Sequence, residues 1–229
     1  MSSSGFKPFG ALAIVGLGLI GGSFARDVRR LGLAHQIIGY DNNSAYHEEI
    51  SSLNLVDYLA AAPDEKLEEA ELVLLAVPVK AFAEVLEQIS PHLSASAIVT
   101  DTGSVKSPLI KIMSAPEYEE ILFVGGHPIA GSEHFGPRAA EEKLFSRKRY
   151  ILTTNEKTDP NAVKRVSGLW EALGAAVSEM DAETHDQIFS SVSHLPHLLA
   201  YASIQAIANS ETPDALGHSG AGLKDFSRI

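Results

Sequence analysis

The sequence predicts an α/β fold: a doubly wound, mostly parallel sheet followed by an incomplete all-α C-terminal part. Three observations predict it. Short β-rich runs alternate with helix-length amphipathic stretches up to about residue 181. A glycine cluster, Gly16 to Gly22, falls between the first strand-like run and the first helical one. After Asp181 the apolar spacing is helical only.

Ala11 to Val15 is a compact apolar run, read as the first strand. Phe24, Val28 and Leu31 then recur at helical spacing, with Gly32 placed as a C-terminal cap. Gln36 to Tyr40 reads as a second strand ending at Asp41. Leu72 to Val77 is a third, and Pro78 stops it. Ala81 to Ile89 reads as a helix. Ala97 to Thr100, Leu122 to Val124, Tyr150 to Thr153 and Ala176 to Val177 read as later strands. Before the last of these, Asp159 caps a helix with Pro160 in its first turn. Val163, Val166, Leu169 and Leu173 give that helix its buried stripe. Asp181 caps a further helix from about Ala182, whose apolar residues keep helical spacing to Ile207. Pro196 interrupts it, so a kink is expected there. The domain boundary is placed between residues 181 and 182. Residues 182–229 are too few to stand as a domain without other support. The chain stops at Arg228-Ile229 without a polar tail and reads as truncated.

Composition narrows the function. The chain has 229 residues, 45% of them hydrophobic and 21% charged, which is ample for a sizeable core. Its formal net charge is −11. Nucleic acid and anionic membranes are therefore not expected partners, since both draw on clustered Lys and Arg. The one basic cluster, Arg147-Lys148-Arg149, reads as a solvated turn. No apolar run reaches the roughly 18 residues that span a bilayer. Met1 to Gly10 has no apolar core of a signal peptide. The chain has no cysteine, which removes disulfides and thiolate metal sites and fits a cytoplasmic protein.

Gly16-Leu17-Gly18-Leu19-Ile20-Gly21 matches the G-x-G-x-x-G pattern in the required setting. It follows a strand, opens a helix, and has Asp41 twenty positions beyond Gly21 at the end of the next strand. Gly16 permits the tight turn, Gly18 lets a pyrophosphate approach the backbone, and Gly21 lets helix and strand pack. The helix N-terminus, at Leu19 and Ile20, offers unpaired N–H groups and a positive dipole to phosphates. The predicted fold is thus of the Rossmann type. Asp41 can accept from adenosine ribose hydroxyls and would repel a 2′-phosphate, which favours NAD over NADP. Its alternative reading is a cap for the segment from Asn43. Val77 and Pro78 fall where the third strand would meet a cofactor; Pro78 reads equally as a simple strand stop.

Open parallel sheets bind ligands beyond the carboxyl ends of their strands. Two polar stretches follow predicted strands there: Thr100 to Lys106, and Gly125 to Glu133. His127 in the second could take the proton of a substrate hydroxyl, with flanking glycines leaving room for a substrate; the other reading is a hydrogen-bonded loop histidine. Ser104 could bond His127 or the substrate hydroxyl, or else cap a helix before Val105. Ser193-His194-Leu195-Pro196-His197 suggests an irregular helix facing a cavity. His194 and His197 share a helix face, but no third ligand has compatible spacing, so no metal is expected.

Taken in order, the glycine motif, Thr102 to Lys106, His127-Pro128-Ile129-Ala130-Gly131-Ser132-Glu133, Ser193 to His197, and Lys224-Asp225-Phe226-Ser227-Arg228-Ile229 resemble the prephenate/arogenate (cyclohexadienyl) dehydrogenases over almost the whole chain. The resemblance implies NAD-dependent oxidative decarboxylation of prephenate or arogenate, in tyrosine biosynthesis. His127 would accept the hydrogen bond and proton of the ring hydroxyl, and Ser104 would orient that hydroxyl, His127 and the nicotinamide. Hydride would leave the hydroxyl-bearing carbon for NAD, with loss of carbon dioxide and aromatisation. Arg228 would anchor a carboxylate, oriented by Asp225. His197 and Glu133 would line and gate the substrate pocket, with Ser132 beside them, and His194 would be structural. The family continues past the Arg228 motif into helices that pair two subunits, so a homodimer is expected of the full-length chain. The competing readings are another Rossmann hydroxy-acid dehydrogenase, a dinucleotide-binding sensor without turnover, and a metal-dependent hydrolase.

Overall fold

Period-two alternation in the central strands builds two core layers at once. In β1 (Phe9–Val15), Leu12 and Ile14 bury on one face of the sheet and Ala11, Ala13 and Val15 on the other. In β4 (Leu72–Leu75), Leu72 and Leu74 join the first layer and Val73 and Leu75 the second. Only a sheet covered on both faces satisfies this pattern. One cover is α1 (Leu19–Leu31) with α5 (Pro160–Ala172), through Phe24, Val28, Val166, Leu169 and Trp170. The other is α3 (Phe82–Ile89) with α4 (Ser107–Met113), through Phe82, Leu86, Ile89, Leu109 and Met113. Each of these large apolar side chains contributes ~1.5–3 kcal/mol on burial.

The structure, a computed structural model, describes residues 5–210, 214 and 216–227. The remaining strands are β2 (Ala34–Tyr40), β3 (Tyr58–Ala60), β5 (Ile98–Asp101), β6 (Leu122–Pro128), β7 (Arg149–Thr153) and β8 (Ala176–Met180). A short α2 (His47–Ser52) precedes β3. The sheet order is β3-β2-β1-β4-β5-β6-β7-β8. Its first six strands are parallel in the doubly wound order. β7 runs antiparallel to β6. Only a 3₁₀ turn at Pro137–Ala139 interrupts the link between them, and an antiparallel neighbour needs no crossover helix. Among the described residues, no helix is long and apolar enough to cross a membrane.

Two expected boundaries shift near the site, and two short elements, β3 and α2, were not expected. β4 ends at Leu75 rather than Val77, so Pro78 does not stop the strand but opens a 3₁₀ turn. β3 and α2 carry no strong periodicity; β3 exists because Ile38 to Tyr40 offers it a ladder. β6 runs on through Gly125, Gly126 and His127 to Pro128, held by its pairing with β7. The caps at Gly32, Asp159 and Asp181 form as expected. Gly32 is left-handed, and the two carboxylates accept from Ala162 N and Thr184 N.

Beyond β8 the chain is helical in α6 (Ala182–Phe189), α7 (Leu195–Ala208) and α8 (Ala221–Ser227). Pro196 is accommodated by a π-helical turn, Ser190–His194, just upstream. Proline cannot donate and crowds the preceding turn, and a widened turn relieves both demands.

Candidate active site

The glycine motif sits at the carboxyl edge of β1. Gly16 has φ +90°, and a Cβ there would lie 2.4 Å from the Ala76 carbonyl. A Cβ on Gly21 would meet the Gly16 carbonyl at 1.9 Å, so this glycine is fixed by close packing. A Cβ on Gly18 would meet nothing within 4 Å, which leaves its backbone open to a ligand. Gly18 is the N-cap of α1 and supplies no side-chain cap. The amides of Leu19 and Ile20 in the first turn have no acceptor among the described residues, so the positive end of the helix is open. Asp41 ties this loop to β2: its Oδ2 accepts from Leu17 N at 2.8 Å and its Oδ1 from Asn43 N at 3.0 Å. The cap of the following 3₁₀ turn is Asn43 itself, not Asp41. Gly16, Gly18, Asp41, Val77 and Pro78 line a cavity of about 370 Å³. Among the described residues its lining contains Asp41 and Glu84 and no Lys or Arg.

His127 lies on β6 rather than in a loop, on the sheet face that carries Phe123. It lines a second cavity of about 680 Å³ with Ser132, Glu133, Phe189, Ser193 and His197. Four residues singled out in the sequence thus share one pocket. Ser104 does not line it; it is exposed after β5 and is not a helix cap. α4 starts later, with Lys106 at its N-cap, and its first amides are served from α6. Asp186 accepts from Lys106 N at 2.8 Å and Ser107 N at 2.9 Å. Arg228 lies outside the described residues. The expectation that glycines beside His127 leave room for a substrate is corrected. A Cβ on Gly126 would lie 1.8 Å from the Tyr150 hydroxyl, and one on Gly125 would lie 2.2 Å from Thr153 Oγ1. Protein fills that space.

Beneath His127 lies a buried ion pair. Lys106 Nζ bonds Asp101 and donates to the Gly126 carbonyl at 2.6 Å. Asp101 also accepts from Gly103 N at 2.7 Å and Gly126 N at 3.0 Å. Both backbone groups of Gly126 are therefore served by side chains, at the point where β6 extends past its last pair with β5, Thr100 opposite Val124. Burial pushes the Lys106 ammonium down, and Asp101 opposes that.

His127 Nδ1 is 2.9 Å from His185 Nε2, and His185 Nδ1 is 2.8 Å from Asp186 Oδ1. The His127 ring also meets Phe189 edge-on at 5.0 Å. Burial, followed by the Lys106 charge, pushes His127 down to about 3. His197 Nδ1 donates to the Ser193 carbonyl at 2.7 Å, which fixes its ring at the cavity wall. Neither Lys106, His185, Asp186 nor Phe189 was assigned a role from the sequence. His185 and Phe189 are four apart and so share a helix face, but nothing in the sequence shows that His185 is the only buried residue of α6.

A glycine-rich helix start and a histidine-lined cavity on the carboxyl edge of one doubly wound sheet define an oxidoreductase of the Rossmann type. Residues 24–179 match the family model for the prephenate dehydrogenase nucleotide-binding domain, and residues 181–229 that for the prephenate dehydrogenase dimerization domain. The chain belongs to the prephenate dehydrogenase family. It is 35% identical to a cyclohexadienyl dehydrogenase of Zymomonas mobilis, over 96% of this chain and 76% of that protein. It is 33% identical to a prephenate dehydrogenase of Bacillus subtilis, over 95% of this chain and 60% of that protein. Among solved structures it is similar to the prephenate dehydrogenase of Aquifex aeolicus in complex with hydroxyphenyl propionate and NAD+. The TM-score is 0.89 and the identity 37%, over 97% of this chain and 78% of that one.

Proposed function

We propose that the chain oxidatively decarboxylates a cyclohexadienyl acid, prephenate or arogenate, with NAD as acceptor. The observation that carries this reading is the single cavity shared by His127, Ser132, Glu133 and His197 at the carboxyl edge of the sheet. The nucleotide cavity fits the cofactor: Gly18 is bare, and the first amides of α1 are unpaired among the described residues. Gly18 and the first amides of α1 at Leu19 and Ile20 would hold the pyrophosphate, Gly16 and Gly21 shape the turn and packing that present them, and Val77 and Pro78 wall the cavity. Each Asp41 oxygen has a lone pair left for the adenosine ribose after its one backbone bond. With Asp41 and Glu84 lining the cavity and no Lys or Arg beside them among the described residues, a 2′-phosphate is disfavoured, which supports NAD over NADP. When bound, the nicotinamide supplies the hydride acceptor.

The chain's own residues do the rest. His127 is neutral and accepts the hydrogen bond, then the proton, of the ring hydroxyl. Ser104 stands outside the cavity lining, and its role in orienting that hydroxyl rests on the sequence motif alone. His197 and Ser132 contact the substrate, Glu133 gates the pocket, and Arg228 anchors a carboxylate as the sequence motif implies. Residues 1–181 form the nucleotide-binding unit, and 182–229 begin the helical unit that serves substrate binding and homodimerisation. The test is NADH formation with prephenate and with arogenate in turn, repeated with NADP. Turnover of at least one acid, with clear preference for NAD, is expected; turnover of neither, or preference for NADP, contradicts the reading.

A further inference from the structure

We propose that His185 and Asp186 are positioning residues that fix His127 in the tautomer protonated on Nδ1, leaving its Nε2 as the proton acceptor. The inference deepens the proposed function and rests on it only for the catalytic consequence; the tautomer itself follows from the hydrogen bonds.

The chain of donors has one consistent direction. Asp186 accepts from Lys106 N, Ser107 N and His185 Nδ1. Burial raises its carboxyl, but these bonds outweigh burial and hold it below the usual carboxylate range. An ionised carboxylate only accepts, so His185 Nδ1 must carry a proton. His185 is fully buried in α6, and burial pushes its imidazole down against the pull of Asp186. A neutral imidazole protonated on Nδ1 has a bare Nε2. That nitrogen faces His127 Nδ1 at 2.9 Å, and two bare nitrogens cannot share a hydrogen bond. His127 Nδ1 is therefore the donor, and neutral His127 has its lone pair on Nε2. Among the described residues, Nε2 has no protein partner. The opposite direction needs a protonated His185 next to the buried Lys106 ammonium.

The arrangement has the logic of a carboxylate holding a catalytic imidazole in one tautomer, with a second histidine inserted between them. Once His127 takes a proton, it still donates through Nδ1, and the new positive charge is connected through His185 to Asp186. Phe189 closes the remaining side, lying 5.0 Å from the His127 ring and 4.6 Å from that of His185.

Asp186→Asn tests the direction. With its N–H at the Oδ1 position the amide keeps its oxygen for Ser107 N, gives up the bond from Lys106 N, and donates to His185 Nδ1, which reverses every donor up to His127. The measurement is the ¹⁵N spectrum of ring-labelled histidine near neutral pH, in the wild-type chain and in D186N. Expected is His127 protonated on Nδ1 in the wild type and on Nε2 in D186N. With that switch, kcat should fall on the order of a thousandfold or more, with NAD affinity unchanged. A wild-type His127 protonated on Nε2, or a D186N spectrum with the tautomer unchanged, overturns the proposal. If D186N does not fold, His185→Gln reads the same nitrogens, and loss of a single His127 tautomer is expected; retention of it overturns the proposal. Should the wild type show the expected tautomer yet turn over neither acid, the proposed function falls and this inference stands.

Discussion

His127 is neutral through the ordinary working range, because burial first and the Lys106 charge second push it down to about 3. Between that value and the unfolded value near 6.5, the unfolded chain binds a proton that the folded chain does not. Stability therefore rises with pH across this window and is lost as pH falls through it. The His185 shift has the same sign. The expected outcome is a urea midpoint that drops more between pH 7 and pH 4.5 in the wild type than in His127→Gln; parallel drops would count against a buried neutral imidazole. At this scale the sequence was only partly legible. His127, His197, Ser132 and Glu133 stood out because they fall in motifs, and the fold does bring them to one cavity. His185 and Asp186 did not, because their significance lies in contacts with His127 and Lys106, 58 and 80 positions away. Ser104 looked like a helix cap, but the cap of α4 comes from Asp186, eighty positions away.

The element that positions the site is β6, and its geometry depends on groups that no strand pattern reveals. Gly125 and Gly126 looked like a loop, which is why the strand was expected to end at Val124. They are tolerated in a strand because Tyr150 and Thr153 occupy the space their side chains would take. Gly126→Ala should cost about 1–3 kcal/mol, as overpacking does, read as a lower denaturation midpoint. The Lys106–Asp101 pair latches β5 to β6 with side chains only 1% and 2% exposed. Lys106→Met leaves a buried carboxylate unpaired and should cost about 3–5 kcal/mol. Adding Asp101→Asn should recover part of that loss, because the two sites are coupled; strictly additive losses in chemical denaturation would show that the pair does not act as a unit. The central apolar strands β1 and β4 were legible because burial on both faces leaves a continuous apolar run. β3 was not, because a three-residue edge strand owes its existence to the ladder of β2.

In the whole molecule, the doubly wound sheet is covered and α7 is not. Leu198 is 65% exposed and Tyr201 71%, and the only buried residue of α7 is Ala200. A helix so apolar on its open side needs a cover, and a second copy of this family's dimerization region is the proposed one. Sedimentation should show a homodimer, and Leu198→Glu with Tyr201→Glu should shift it to monomer; an unchanged assembly would place the interface elsewhere. The central claim is that an imidazole at position 127 serves the chemistry next to a nucleotide held by the glycine-rich turn. It is tested most directly by NADH formation in His127→Asn against the wild type, with NAD binding measured alongside. A kcat lower by on the order of 10²–10⁴-fold at unchanged NAD affinity is expected. His127→Asn turning over at the wild-type rate would contradict it.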